Sequence, residues 1–319
     1  MTATEEYLDF LRKEYLADFV RKGGATVKFV VAPDDTRAAS FSVGLAEAAS
    51  GEGFTFARVD AAETRVHMID QVFFAVARQV DWDRCTTTFL RQSLERAAFP
   101  APPGSDDLSL TSLAAHHDFD RGELSRSVRR QLVDDLLHDH TMVQEMRIAM
   151  LRLCEARLQA NELADAERDA LQDWLHGELR HISRLRSAGI FSRIARHNAR
   201  NLLLSLVRWL TRTGSAGLVL ELDIRRCAVA KRPPAEERVG VYYSKAAVMD
   251  TYELLRQLVD ATDELSSCAV VVVAAPEFVT DHTRGLPAYT ALQMRIWDEV
   301  RDRRRDNPFS SLVRAHPAP

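Results

Sequence analysis

Lysine is scarce in this chain. Only Lys13, Lys22, Lys28, Lys231 and Lys245 occur, so 37 of the 42 basic residues are arginine, and no ammonium group stands between Lys28 and Lys231. Cysteine is scarce too. Cys85, Cys154, Cys227 and Cys268 form no Cys-x-x-Cys pair and have no histidine at ligand spacing, which argues against a zinc site and a disulfide framework. They read as structural thiols in a reducing compartment. No run of about 18 apolar residues occurs, and Met1–Glu6 is polar and acidic where a secretory leader would be basic and then apolar. Both features predict a cytoplasmic protein without membrane contact. The chain also lacks an excess of positive charge: its net charge is −4. An all-over electrostatic grip on nucleic acid is therefore excluded, and any such contact must be local.

What is present is a core-forming composition. The 319 residues are 46% apolar and 28% charged, which excludes disorder and fibrous classes and leaves one large or two ordinary domains. Tyr7, Leu8, Leu11, Tyr15, Leu16, Phe19 and Val20 recur at helical spacing before Gly23-Gly24, predicting a glycine-closed amphipathic helix. Residues 26–31 and 54–59 are mainly β-branched or apolar and read as strands, with a helix over 38–50 between them. Helices follow at 66–80 and 86–98, and the segment Phe99–Gly104 is rich in proline. From Leu124 to Arg212 the spacing is helical, broken near 161–164 and 187–189. Residues 217–223 and Cys268–Ala274 return to strand, the latter a continuous apolar run of the kind covered on both faces. Strands alternating with helices predict a parallel sheet in an α/β, three-layer domain. The expected division is an N-terminal helix (1–22), a first half-core (23–98), a helical insertion (99–190) and a second half-core with a C-terminal helix (191–319). Arg301, Arg303, Arg304 and Arg305 alternate with acids and read as a solvated helix end.

Strand, short loop, helix is the context in which a triphosphate site is built, because the loop amides and helix N-terminus face the phosphates. The chemistry needs glycines to wrap the phosphates, a lysine and a Mg²⁺-binding hydroxyl. Here the connection is Ala32-Pro33-Asp34-Asp35-Thr36-Arg37-Ala38-Ala39-Ser40. It has no glycine and no lysine, and Pro33 removes an amide. Like charges about 4 Å apart repel by about 4 kcal/mol at an effective dielectric near 20, so Asp34 and Asp35 would oppose a phosphate that they faced. The later strand ends in Asp223, a metal carboxylate by position, but Ile224 follows where a catalytic base would be needed.

These segments, with the helix Tyr252–Asp260, Ala274-Ala-Pro-Glu-Phe278 and Arg284-Gly-Leu-Pro-Ala-Tyr289, resemble the ATP-binding proteins of bacterial phage-defence islands, the BREX BrxD-like group of AAA-type P-loop ATPases. The similarity covers roughly 15–98 and 192–314. In that family the loop carries a Gly-rich Lys-Thr signature and the second motif ends in Asp-Glu. By position, Ala38 stands at the lysine, Ala39 at the Mg²⁺ hydroxyl, Asp223 at the metal carboxylate and Ile224 at the base. The resemblance thus implies a P-loop, AAA-like core with a large helical insertion, and a degenerate member without catalytic residues, metal or required cofactor. It would serve as scaffold or regulator beside an active ATPase, helicase or nuclease, with other defence subunits or copies of itself as partners. Arg284 would serve its own fold or a neighbouring subunit's site.

Two alternatives stay open. One is a residual nucleotide switch or weak ATPase, with ATP and Mg²⁺ held by Thr36, Arg37 and Asp223. The other is a DNA-binding accessory module, for which Arg193, Arg196 and Arg200, at 3- and 4-residue spacing on one expected helical face, are the phosphate-contact candidates. Glu221, between two leucines of a buried strand, is expected to pair with an arginine. His116-His117 and His138-Asp139-His140 read as solvated polar faces rather than metal sites.

Overall fold

The computed structural model describes residues 3–297 and 307–314. The arginine-rich helix end expected around 301–305 lies outside the described residues. Two compact units emerge, one formed by Met1–Val76 with Ser215–Pro319 and one by Ala77–Gly214.

The first unit is built on a parallel sheet of five strands in the order β2-β3-β4-β1-β5. Four of them, β1 (Ala25–Val31), β2 (Thr55–Asp60), β3 (Leu218–Asp223) and β4 (Cys268–Ala274), coincide with the expected strands. The fifth, β5 (Leu312–Arg314), is only three residues long and pairs with β1 through Phe29 and Leu312. β4 lies between β1 and β3, every residue of it buried. That double-sided cover is why its sequence is apolar without alternation.

Helices cover both faces. On one face α1 (Ala3–Phe10) runs into a wider π-helical turn, Leu11–Val20, and packs with α2 (Asp35–Gly51) against Val30, Val219, Val271 and Val273. Gly23, at φ +99°, turns the chain from this helix toward β1. On the other face Phe29 stacks on Phe278 at 6.0 Å, and Phe278 meets Tyr252 edge-on at 5.5 Å. Those two rings come from short α11 (Glu277–Thr280) and long α10 (Lys245–Asp260). Helix α3 (Ile69–Ala77) follows β2, and α12 (Thr290–Ile296) packs on α10. The result is the α/β, P-loop-like three-layer core expected from the sequence.

The second unit is helical: α4 (Trp82–Arg96), α5 (Leu110–His117), α6 (Arg121–Leu137), α7 (Gln144–Gln159), α8 (Glu162–His176) and α9 (Ala199–Arg212). It extends beyond 99–190 at both ends because α4 and α9 pack together, Phe89 lying 5.0 Å from Trp209. Residues 177–198, expected to be largely helical, hold only one 3₁₀ turn, Ile182–Leu185. Gly177 ends α8 at φ +77°, and Gly189 is left-handed at φ +88°.

Candidate functional site

The C-terminal ends of β1, β3 and β4 open into a cleft of about 450 Å³, lined by Pro33, Asp34, Asp35, Arg225, Val229 and Glu277 among others. This is where an open parallel sheet places its ligand site. The β1–α2 connection at its rim is short: β1 ends at Val31 and α2 begins at Asp35. Asp34 is the helix N-cap, its carboxylate accepting the Arg37 amide at 2.8 Å, while the Ala38 amide bonds the Asp34 carbonyl. Two of the amides at this helix start, those of Arg37 and Ala38, are thus taken by Asp34. Thr36 is exposed beside them, and the Arg37 guanidinium lies 3.7 Å from Asp34. Ala38 is 2% exposed among Tyr7, Phe41 and their neighbours, a position where a lysine ammonium would be stranded in apolar surroundings.

Beneath the cleft lies a buried charge network on the α2 face of the sheet. Register places Arg58 of β2 beside Glu221 of β3, and Asp60 beside Asp223. Glu221 is fully buried; it accepts the Ser42 hydroxyl at 2.8 Å and pairs with Arg58 at 3.1 Å. The expected arginine partner of Glu221 is therefore Arg58. Burial pushes the Glu221 carboxyl up to about 7, although Ser42 and Arg58 favour its ionised form. Asp223, 2% exposed, is held by two guanidiniums: Arg225 Nη2 at 2.7 Å and Nε at 3.0 Å, and Arg58 Nη2 at 2.9 Å. Burial raises this carboxyl too, but the bonds and charge of Arg225, with Arg58, outweigh it and hold it below the usual carboxylate range. Arg225 also reaches exposed Asp35, tying the strand end to the first turn of α2.

Arg58 and Arg225 were not singled out from sequence. A signal existed: Arg58 lies on the same strand face as Asp60, and Arg225 follows the strand-end aspartate by two residues. Only the β2–β3 register shows that all four residues converge. The residues present do not fit a magnesium nucleotide: the loop is capped by its own aspartate, Ala38 is in the core, and the oxygens of Asp223 already face two guanidiniums. Among the described residues no three His, Cys, Asp or Glu side chains are grouped to hold a metal ion.

The remaining candidates are scattered. The Arg284 guanidinium donates to the carbonyls of Cys227 (3.2 Å) and Tyr243 (2.9 Å) within its own unit, while its carbonyl accepts the Tyr252 hydroxyl. Arg193, Arg196 and Arg200 do not share a helical face. Arg193 and Arg196 lie in the irregular 191–198 segment and only Arg200 is on α9, because the backbone there is held by turn bonds such as Ala195 N to the Asn198 side chain (2.8 Å). His117 bonds the Pro100 carbonyl, and Asp139 accepts Arg212 at 2.7 Å.

Searches of the curated proteins and of the solved structures each return no match. A family model described as "BREX system ATP-binding protein BrxC/D" matches residues 12–317. With nearly the whole chain matched and a P-loop-like parallel core beneath it, the chain belongs to the BREX system ATP-binding protein BrxC/D family.

Proposed function

We propose that this chain is a non-hydrolysing member of its family, a pseudo-ATPase that works as scaffold or regulatory subunit in a BREX phage-defence complex. The observation that carries the reading is the double guanidinium grip on Asp223 (2.7 and 2.9 Å). A carboxylate at a strand end holds Mg²⁺ only if its oxygens are free; here Arg225 supplies the compensating charge from inside the chain. Each missing transition-state contact of this kind typically costs about 3 kcal/mol of activation, so losing the lysine, the hydroxyl and the base together leaves turnover at background. The partners of such a subunit are other components of the defence system, an active ATPase or helicase among them.

The test is thermal unfolding with and without about 5 mM Mg-ATP, beside a phosphate-release assay. The expected outcome is an unchanged Tm and release equal to a buffer control. The 450 Å³ cleft is of ligand size and favours one alternative, a residual nucleotide switch using Thr36, Arg37 and Asp223. A Tm rise of several degrees that requires both Mg²⁺ and ATP would establish that alternative and remove the first.

A further inference from the structure

From Leu179 to Leu220 the chain contains eight arginines and not one Asp or Glu. On α9 these arginines are engaged internally. Arg212 donates to Asp139 and to the Asp135 carbonyl, both at 2.7 Å, Arg208 approaches Asp139 at 3.8 Å, and Arg200 also has a partner within the chain. The connector between α8 and α9 is different. Arg180, Arg184, Arg186, Arg193 and Arg196 are all exposed there. Arg184 meets Asp173 at 3.4 Å at the surface, and Arg193 donates to the Arg180 carbonyl. Among the described residues, neither Arg186 nor Arg196 has a carboxylate within ion-pair distance.

The same connector displays an aromatic ring. Phe191 is 71% exposed, although its neighbours Leu185, Ile190 and Ile194 are buried. Those anchors, with Trp174 Nε1 bonded to the Ser192 carbonyl at 3.0 Å and Asn198 Nδ2 to the Arg193 carbonyl at 3.1 Å, fix the backbone on both sides of the ring. A solvent-facing phenyl on a backbone fixed at both sides, in a connector that also carries exposed guanidiniums, loses little freedom on binding. Guanidiniums match phosphate geometry, and an exposed aromatic face stacks on an unpaired base.

We propose that the connector 180–198 is a binding surface for single-stranded polynucleotide, its arginines taking successive phosphates and Phe191 stacking one base. A duplex satisfies the arginines but keeps its base faces hidden, and an acidic protein segment offers charge without a ring. The surface is built wholly within the helical unit and stands independently of the nucleotide cleft.

The experiment is fluorescence anisotropy of the full chain with labelled oligo(dT) or oligo(rU) of about 20 nucleotides, a duplex of equal length, and polyglutamate as competitor, from about 25 to 200 mM salt. Engagement of four to five phosphates gives a log–log salt slope of about −3. Arg186→Gln with Arg196→Gln reduces that slope by about 1.4, and Phe191→Ala weakens single-strand binding about tenfold with the slope unchanged. All three side chains are exposed, so circular dichroism should find these variants folded. Binding of either single strand supports the proposal, the tighter one naming the polynucleotide. It is overturned by no binding at the lowest salt, by a duplex held as tightly as the strand, by Phe191→Ala without effect, or by polyglutamate competing as well as unlabelled strand.

Discussion

Asp223 shows how one side chain changes meaning with its neighbours. As a strand-end aspartate it has the form of a metal ligand; between Arg58 and Arg225 it is the centre of an internal salt bridge. Breaking a buried pair leaves an uncompensated charge, at a cost of about 3 kcal/mol. Arg225→Met should therefore lower unfolding free energy by about that amount, measured by urea denaturation, because buried Asp223 then keeps Arg58 as its one cationic partner of the two. Glu221 supplies a pH signature. Its folded pKa of about 7 lies above its ordinary 4.5, so between those values the native state holds a proton that the unfolded state has released. Stability must then fall as pH rises through that window. The expected loss is on the order of 2 kcal/mol, and Glu221→Gln should abolish the slope. If wild type and variant trace parallel stability curves from pH 5 to 7, the carboxyl is not raised.

At the scale of elements, the four long strands are legible because short runs dominated by β-branched and apolar residues, bounded by glycine or loop residues, have few other uses. β5 is not, since three residues carry too little pattern and its place depends on partners far away: Lys28 Nζ, brought down to about 8 by burial, donates to the Phe309 carbonyl at 2.8 Å and the Ser310 carbonyl at 3.2 Å. The entry to β3 depends on Gly217, which sits at φ +146° with the Ser267 carbonyl 1.9 Å from where a Cβ would be. Gly217→Ala forces backbone to move and should cost about 3 kcal/mol; an urea midpoint equal to wild type would show that the β3 and β4 ends separate freely. On both sides of the break expected at 187–189, the Arg, Leu and Ile spacing of the 177–198 connector mimics a helix that the structure does not contain. The glycines at 177 and 189 and the turn bonds around Asn198 override that spacing.

At the scale of the whole molecule, two compact units share one chain, the helical one occupying the interval between α3 and β3. In the sheet unit the long connection from β3 to α10 is pinned at its far end, where Val241 N bonds the Ala62 carbonyl at 2.7 Å and Tyr243 Oη accepts Val66 N at 3.1 Å. Ahead of these pins, Lys231, Arg232 and Arg238 are exposed. Among the described residues, native trypsin digestion should therefore cut first after Lys231 or Arg238, Arg232 being protected by Pro233; an earlier cut inside the 82–176 helices would contradict this packing. Composition and periodicity by themselves determined the α/β class, the parallel core, the helical interval and the absence of glycine and lysine from the β1–α2 connection, because these are local facts of residue type and spacing. Only the tertiary structure decided what surrounds that connection. Arg58 and Arg225 reach Asp223 through strand register and a turn, and Phe191 is held at the surface by burial of its neighbours. Such meetings depend on distance in space, which residue order alone does not specify.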